Sequence, residues 1–88
     1  MTAYSVLLTP EAKTDIQHLD AAVRSRILTK IEWMSRNAEL LIHHPLRGER
    51  FSGCFKYRFG DYRIIYQLRP TKRQITILKA AHRKDVYR

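Results

Sequence analysis

In the run Phe55-Lys56-Tyr57-Arg58-Phe59 cations alternate with aromatics, and Tyr62-Arg63-Ile64 resumes the alternation after Gly60-Asp61. Successive side chains of a strand take opposite faces, so Lys56 and Arg58 share one face and the three aromatics the other. Gly60-Asp61 suits a two-residue hairpin turn, which sets Phe59 opposite Tyr62 and Arg58 opposite Arg63. Like charges paired across strands cost a sheet up to about 1 kcal/mol. A face carrying Lys56, Arg58 and Arg63 together is one arranged to meet an anion. A polyphosphate would supply the missing counter-charges, and nearby aromatics could stack bases of a single strand. RNA also brings its own nucleophile, the 2′-hydroxyl. Cations that align it and stabilise a phosphorane-like transition state could cleave the chain without metal. His82, an imidazole at a strand end, is a candidate for proton transfer near neutrality.

Other chemistries find little support. His18, His43, His44, His82 and Cys54 show no metal-ligand spacing, so neither a metal nor a cofactor is expected. There is no glycine-rich phosphate loop, no arguable Ser/His/Asp set and no major-groove reading module. Lys and Arg number 17 against 8 Asp and Glu, a net charge of +9 on 88 residues. Residues 1–42 hold five cations and five acids, so the whole excess falls in residues 43–88, together with seven of the nine aromatics. That half is the electrostatic footprint of a nucleic-acid binder. Besides the cations above, Arg47, Arg50, Lys72, Arg73, Lys79, Lys84 and Arg88 are candidate contacts to RNA. The lone Cys54 suits a reducing compartment. No apolar run nears a membrane span and no secretory signal opens the chain, so the cytoplasm is expected.

A single domain, residues 1–88, must position these groups. Tyr4 to Leu8 reads as a strand that stops at Thr9-Pro10-Glu11, a helix start with Thr as cap. Ala12, Ile16 and Leu19 give a first helix one apolar stripe, and Asp20 offers the next cap. Val23, Ile27, Ile31, Met34, Ala38 and Leu41 recur at helical spacing as far as His43-His44-Pro45, predicting a longer second helix. Two hairpin-linked strands and a third, from about Gln74 to Ala81, follow. The expected fold is α+β: a strand, a two-helix hairpin, then an antiparallel three-stranded meander with the helices on one sheet face.

Leu46-Arg47-Gly48, Phe55-Lys56-Tyr57-Arg58, Gly60-Asp61-Tyr62-Arg63-Ile64-Ile65-Tyr66 and His82-Arg83-Lys84-Asp85-Val86-Tyr87-Arg88 resemble the RelE branch of the RelE/ParE toxin superfamily of type II toxin-antitoxin systems. The resemblance spans nearly the whole chain. It implies a microbial-ribonuclease-like fold that enters the ribosomal A site and cuts mRNA, leaving a cyclic phosphate and a 5′-hydroxyl. It also implies roles. Lys56 would orient the scissile phosphate, Arg63 stabilise the transition state, Arg83 help the leaving group, and Tyr87 orient or stack on the substrate. Arg58 stands where the best-known members carry a lysine proposed as general base. An arginine stays protonated and binds phosphate without acting as a base, so either the 2′-hydroxyl proton goes elsewhere, with His82 or Tyr87 as candidates, or charge stabilisation supplies most of the rate.

The resemblance further implies a cognate acidic antitoxin, with operator DNA reached only through it and no membrane partner. Two alternatives use the same fold or the same charge: a ParE-like toxin that acts on DNA gyrase without catalysis, and an RNA- or ribosome-binding module that does not cleave.

Overall fold

The computed structural model describes residues 3–87. Five strands form one sheet: β1 (Ser5–Leu8), β2 (His44–Pro45), β3 (Phe55–Phe59), β4 (Tyr62–Arg69) and β5 (Gln74–His82), in the order β1-β5-β4-β3-β2. The expected meander is β3-β4-β5, antiparallel throughout. β1 lies parallel to β5, with Ser5 beside Gln74 and Leu8 beside Ile77. Parallel partners need a long connection, here everything between them in the chain.

Helix α1 (Pro10–Gln17) starts as its sequence dictates. Thr9 Oγ1 accepts from the Ala12 amide at 3.1 Å and Pro10 occupies the first turn. Arg24 closes its other end, donating to the carbonyls of Ile16 at 3.2 Å and Leu19 at 3.0 Å. Asp20 precedes α2 (Ala21–Arg36) at the cap position, yet its side chain makes no cap hydrogen bond. α2 also stops sooner than its apolar period. Asn37 ends it, its Nδ2 donating to the Trp33 carbonyl at 2.8 Å, and Ala38 and Leu41 reach the core from the turn that follows.

Both helices pack on one sheet face, burying Ala12, Ile16, Ile27, Ile31 and Met34 against Ile64, Tyr66, Ile75 and Ile77. The other face has a core of its own. Cys54, Ile65 and Val86 are buried there, with Leu46, Phe51, Leu78 and Ala81 around them. Ile64 and Ile65 are consecutive and both fully buried, so the centre of β4 is covered on both faces. A bulge interrupts the β4-β5 ladder beside Lys79. Ile65 pairs with Lys79 but Tyr66 pairs with Ile77, which leaves Leu78 as the extra residue. Lys79 reaches the start of α1, where its ammonium lies 3.2 Å from the Glu11 carboxylate with only 7% of the side chain exposed.

Candidate nucleic-acid interface and active site

The β3-β4 register sets Phe59 opposite Tyr62 and Arg58 opposite Arg63, as the sequence predicts. Gly60 carries the turn at φ +59°, while Asp61 keeps a negative φ, the pattern of a type II′ hairpin. Directly paired residues share a face, so Arg58 and Arg63 stand side by side, with Lys56 one step along. Among the described residues neither Lys56 nor Arg58 makes an ion pair or a side-chain hydrogen bond.

Arg63 is held by the turn itself. Its Nη1 donates to the carbonyls of Gly60 and Tyr62, both at 2.8 Å, while Nε and Nη2 remain available to an outside acceptor. A guanidinium fixed on one side and open on the other is preorganised for an oxyanion. The same turn anchors Arg83, whose amide donates to the Asp61 carbonyl at 2.7 Å. The Arg83 guanidinium lies 3.8 Å from the Asp61 carboxylate, both largely exposed, an arrangement loose enough to be exchanged for a ligand. Two strand-separated arginines therefore converge on one hairpin tip.

Val86 is the buried anchor of the tail. After β5 the amides of Asp85 and Val86 donate to the His82 carbonyl at 2.8 and 3.0 Å, and this turn drops Val86 onto Ile65. Ile65 is the cross-strand neighbour of Lys56, so Tyr87 arrives on the basic face. Its ring meets Phe51 edge-on at 5.7 Å and stays 45% exposed, while its carbonyl accepts from Arg50 Nη1 at 3.2 Å. Arg50 also covers the Phe51 ring at 5.1 Å. Lys56, Arg58, Arg63, Arg83 and Tyr87 thus gather around one face and its turn, with Arg47, Arg50 and Lys84 on the exposed segments nearby.

Other candidates fall elsewhere. His82 pairs with Tyr62, and the two rings meet at 5.5 Å on the helix-facing side, away from Arg58 and Arg63. Its Nδ1 accepts from the Lys84 amide at 3.1 Å, so a neutral His82 carries its proton on Nε2. Lys72 and Arg73 lie beyond the far end of β4, and Arg73 pairs with Glu39 at 2.9 Å. Lys79 is buried as described, and Arg88 lies outside the described residues.

The sequence reading passed over β2. His43 and His44 point to opposite sides. His43 Nε2 meets the Ala38 carbonyl at 2.7 Å and its Nδ1 the Tyr66 hydroxyl at 2.6 Å. A carbonyl only accepts, so Nε2 holds the proton and Nδ1 accepts from Tyr66. Burial of Tyr66, helped by its neighbour Tyr57, pushes its phenol up to about 12. His44 pairs instead with Lys56. A pairing two residues long leaves no periodic trace in a sequence. Among the described residues no three His, Cys, Asp or Glu side chains gather as metal ligands would, and no helix is long and apolar enough to cross a membrane.

Comparison with known proteins agrees with this architecture. Residues 6–87 match the family described as ParE toxin of type II toxin-antitoxin system, parDE. Toxin RelG of Mycobacterium tuberculosis (strain ATCC 25618 / H37Rv) is 29% identical over 85 residues, 97% of each chain. A chain of the RelBE2 toxin-antitoxin complex of M. tuberculosis superposes with a TM-score of 0.83 at 29% identity, covering 97% of both chains. A chain of the archaeal RelE-RelB complex of Pyrococcus horikoshii OT3 does so with a TM-score of 0.73 at 25% identity, covering 97% of this chain and all of its own. The chain belongs to the ParE toxin family of type II toxin-antitoxin systems and is a RelE-like toxin.

Proposed function

We propose that this toxin is a ribosome-dependent endoribonuclease that cuts mRNA in the A site without a metal ion, and so stops translation. The observation that carries this reading is the face of Lys56, Arg58 and Arg63, cations side by side with no acid among them. In-line attack by the 2′-hydroxyl breaks the bond from phosphorus to the 5′ oxygen and yields a cyclic phosphate and a 5′-hydroxyl. Charge builds on the non-bridging oxygens and then on the departing one. Lys56 and Arg58 would hold the phosphate, Arg63 the phosphorane-like oxygens, and Arg83 the leaving oxygen at the hairpin tip. Tyr87, half exposed beside Phe51, would stack on a base of the codon. Arg47, Arg50 and Lys84 extend the positive surface towards ribosomal RNA. Lys72 and Arg73, at the other end of β4, belong to a separate patch.

The same excess of positive charge fits a cognate acidic antitoxin that covers this face, with operator DNA bound through the antitoxin and the whole system in the cytoplasm. The ParE name of the matching family keeps the second reading in view, a ParE-like toxin that acts on DNA gyrase without catalysis. It gives no task to the opposed Arg58-Arg63 pair.

Translation in a cell-free extract with a defined mRNA separates the two. The nuclease reading expects new 5′ ends on addition of the purified toxin, only when ribosomes are present, and none with Arg63→Ala. Intact mRNA under continuing translation, with gyrase supercoiling inhibited instead, would overturn it.

A further inference from the structure

Arg58 cannot accept the 2′-hydroxyl proton, His82 faces the helices, and Tyr87 has a phenol that must itself lose a proton before it could serve. A different imidazole stands on the basic face. In the β2-β3 pairing His44 lies directly opposite Lys56, and residues so paired share a face of the sheet with Cβ atoms about 5 Å apart. His44, Lys56 and Arg58 line one cleft of about 710 Å³, which Tyr57 and the segment Leu40–Ile42 complete. His43, bound to Ala38 and Tyr66 on the inner side, fixes the segment so that the next side chain turns outward. The His44 ring is exposed and makes no hydrogen bond or ion pair among the described residues. The titratable or charged groups facing it are Lys56 and Arg58 from β3 and the Tyr57 phenol at the strand edge; no carboxylate lines the cleft.

We propose that His44 is the general base of this toxin, a role that rests on the nuclease reading above. A free nitrogen of neutral His44 takes the 2′-hydroxyl proton as the 2′ oxygen forms its bond to phosphorus. The bond from phosphorus to the 5′ oxygen breaks with its electron pair on that oxygen, which takes a proton from water. The hydroxide so formed is neutralised when the imidazolium gives up its proton, and the enzyme returns to its starting state. Lys56 and Arg58 hold the phosphate beside the imidazole, so proton acceptor and anion site sit on adjoining strands. Arginine in place of a lysine base is then no loss, because the base has moved across one strand.

The test is single-turnover cleavage of ribosome-bound mRNA between about pH 5.5 and 8.5, the range in which imidazoles titrate. The wild-type rate should fall on the acid side. His44→Gln should lose about 10²- to 10³-fold in rate and the acid limb with it. Added imidazole should restore a large part of the rate to His44→Ala. Both variants should melt with the wild type, since the ring is exposed and unbonded. If His44→Gln keeps the wild-type rate and pH profile while Arg63→Ala is inactive, the base assignment fails and the nuclease reading stands. A uniform drop with the acid limb intact would make His44 a binding residue and overturn the assignment. A wild-type protein that cuts no ribosome-bound mRNA at any pH would overturn both.

Discussion

Replacing Arg58 with glutamine should make the protein more stable and less active. Arg58 faces Arg63 across the β3-β4 ladder and follows Lys56 by two residues on the same face. Two unit charges about 7 Å apart in water repel by about 0.6 kcal/mol. The Lys56 neighbour, two strand steps or about 7 Å away, adds a repulsion of similar size. Arg58 makes no hydrogen bond or ion pair among the described residues, so its removal forfeits little beyond stem packing. The gain is then about 1 kcal/mol at low salt. Urea is the suitable denaturant because it leaves charges unscreened, and at a slope of about 1 kcal/mol/M the midpoint should rise by about 1 M. The Debye length is about 30 Å at 0.01 M salt and about 3 Å at 1 M, so the gain should nearly vanish at the higher concentration. The same variant should bind ribosomal complexes more weakly, since the repulsion it relieves is the attraction a phosphate would feel. An Arg58→Gln protein that is destabilised at low salt, or stabilised equally at both salts, would refute the view that this face holds unspent charge.

Three further outcomes follow from individual contacts. Tyr66 has its phenol raised to about 12 by burial, so the folded state keeps a proton that the unfolded chain loses near pH 10; the stability it contributes is complete below that and drains as pH climbs from 10 to 12, by about 2 to 3 kcal/mol. Tyr66→Phe should cost about 1 kcal/mol at pH 8 through the lost His43 bond, yet exceed the wild type near pH 12, and a constant difference in urea midpoints over that range would contradict the argument. Val86→Ala should cost about 2 kcal/mol and Tyr87→Ala less than about 1 kcal/mol, by thermal melting, because the first is fully buried and the second half exposed; equal losses would show that Tyr87 is the anchor. Arg24→Ala should destabilise by about 1 to 2 kcal/mol, since the carbonyls of Ile16 and Leu19 lose their donor, and an unchanged melting temperature would show that water replaces it fully.

What the sequence discloses and what it hides divides along contact range. The alternation from Phe55 to Phe59, the Gly60-Asp61 turn and the Thr9-Pro10 helix start each depend on neighbours a few residues away, and each stands where local reading puts it. The resemblance gathers Arg83 and Tyr87 with these cations, and the geometry supplies the reason: the hairpin tip holds one and Val86 carries the other. The misreadings arise where a partner far along the chain decides. Lys79 is the clearest case: its charge suggests an RNA contact, but its ammonium is buried against Glu11 on a helix nearly seventy positions earlier. Ala38 and Leu41 keep helical spacing after the helix has ended, because a turn delivers them to the same core.

The second face of the sheet shows how these ranges meet. Charges crowded on Lys56, Arg58 and Arg63 would splay apart on a bare surface, yet Ile65 in their midst is fully buried by Val86, Phe51 and Leu46. That small core ties the loop and the tail to the strands, and it holds the cations in register without neutralising them. Burial of a few apolar side chains, at about 1.5 to 3 kcal/mol each, exceeds the roughly 1 kcal/mol of repulsion beside them. The fold can therefore hold these cations side by side before any anion arrives, which is the condition that the proposed electrostatic catalysis requires.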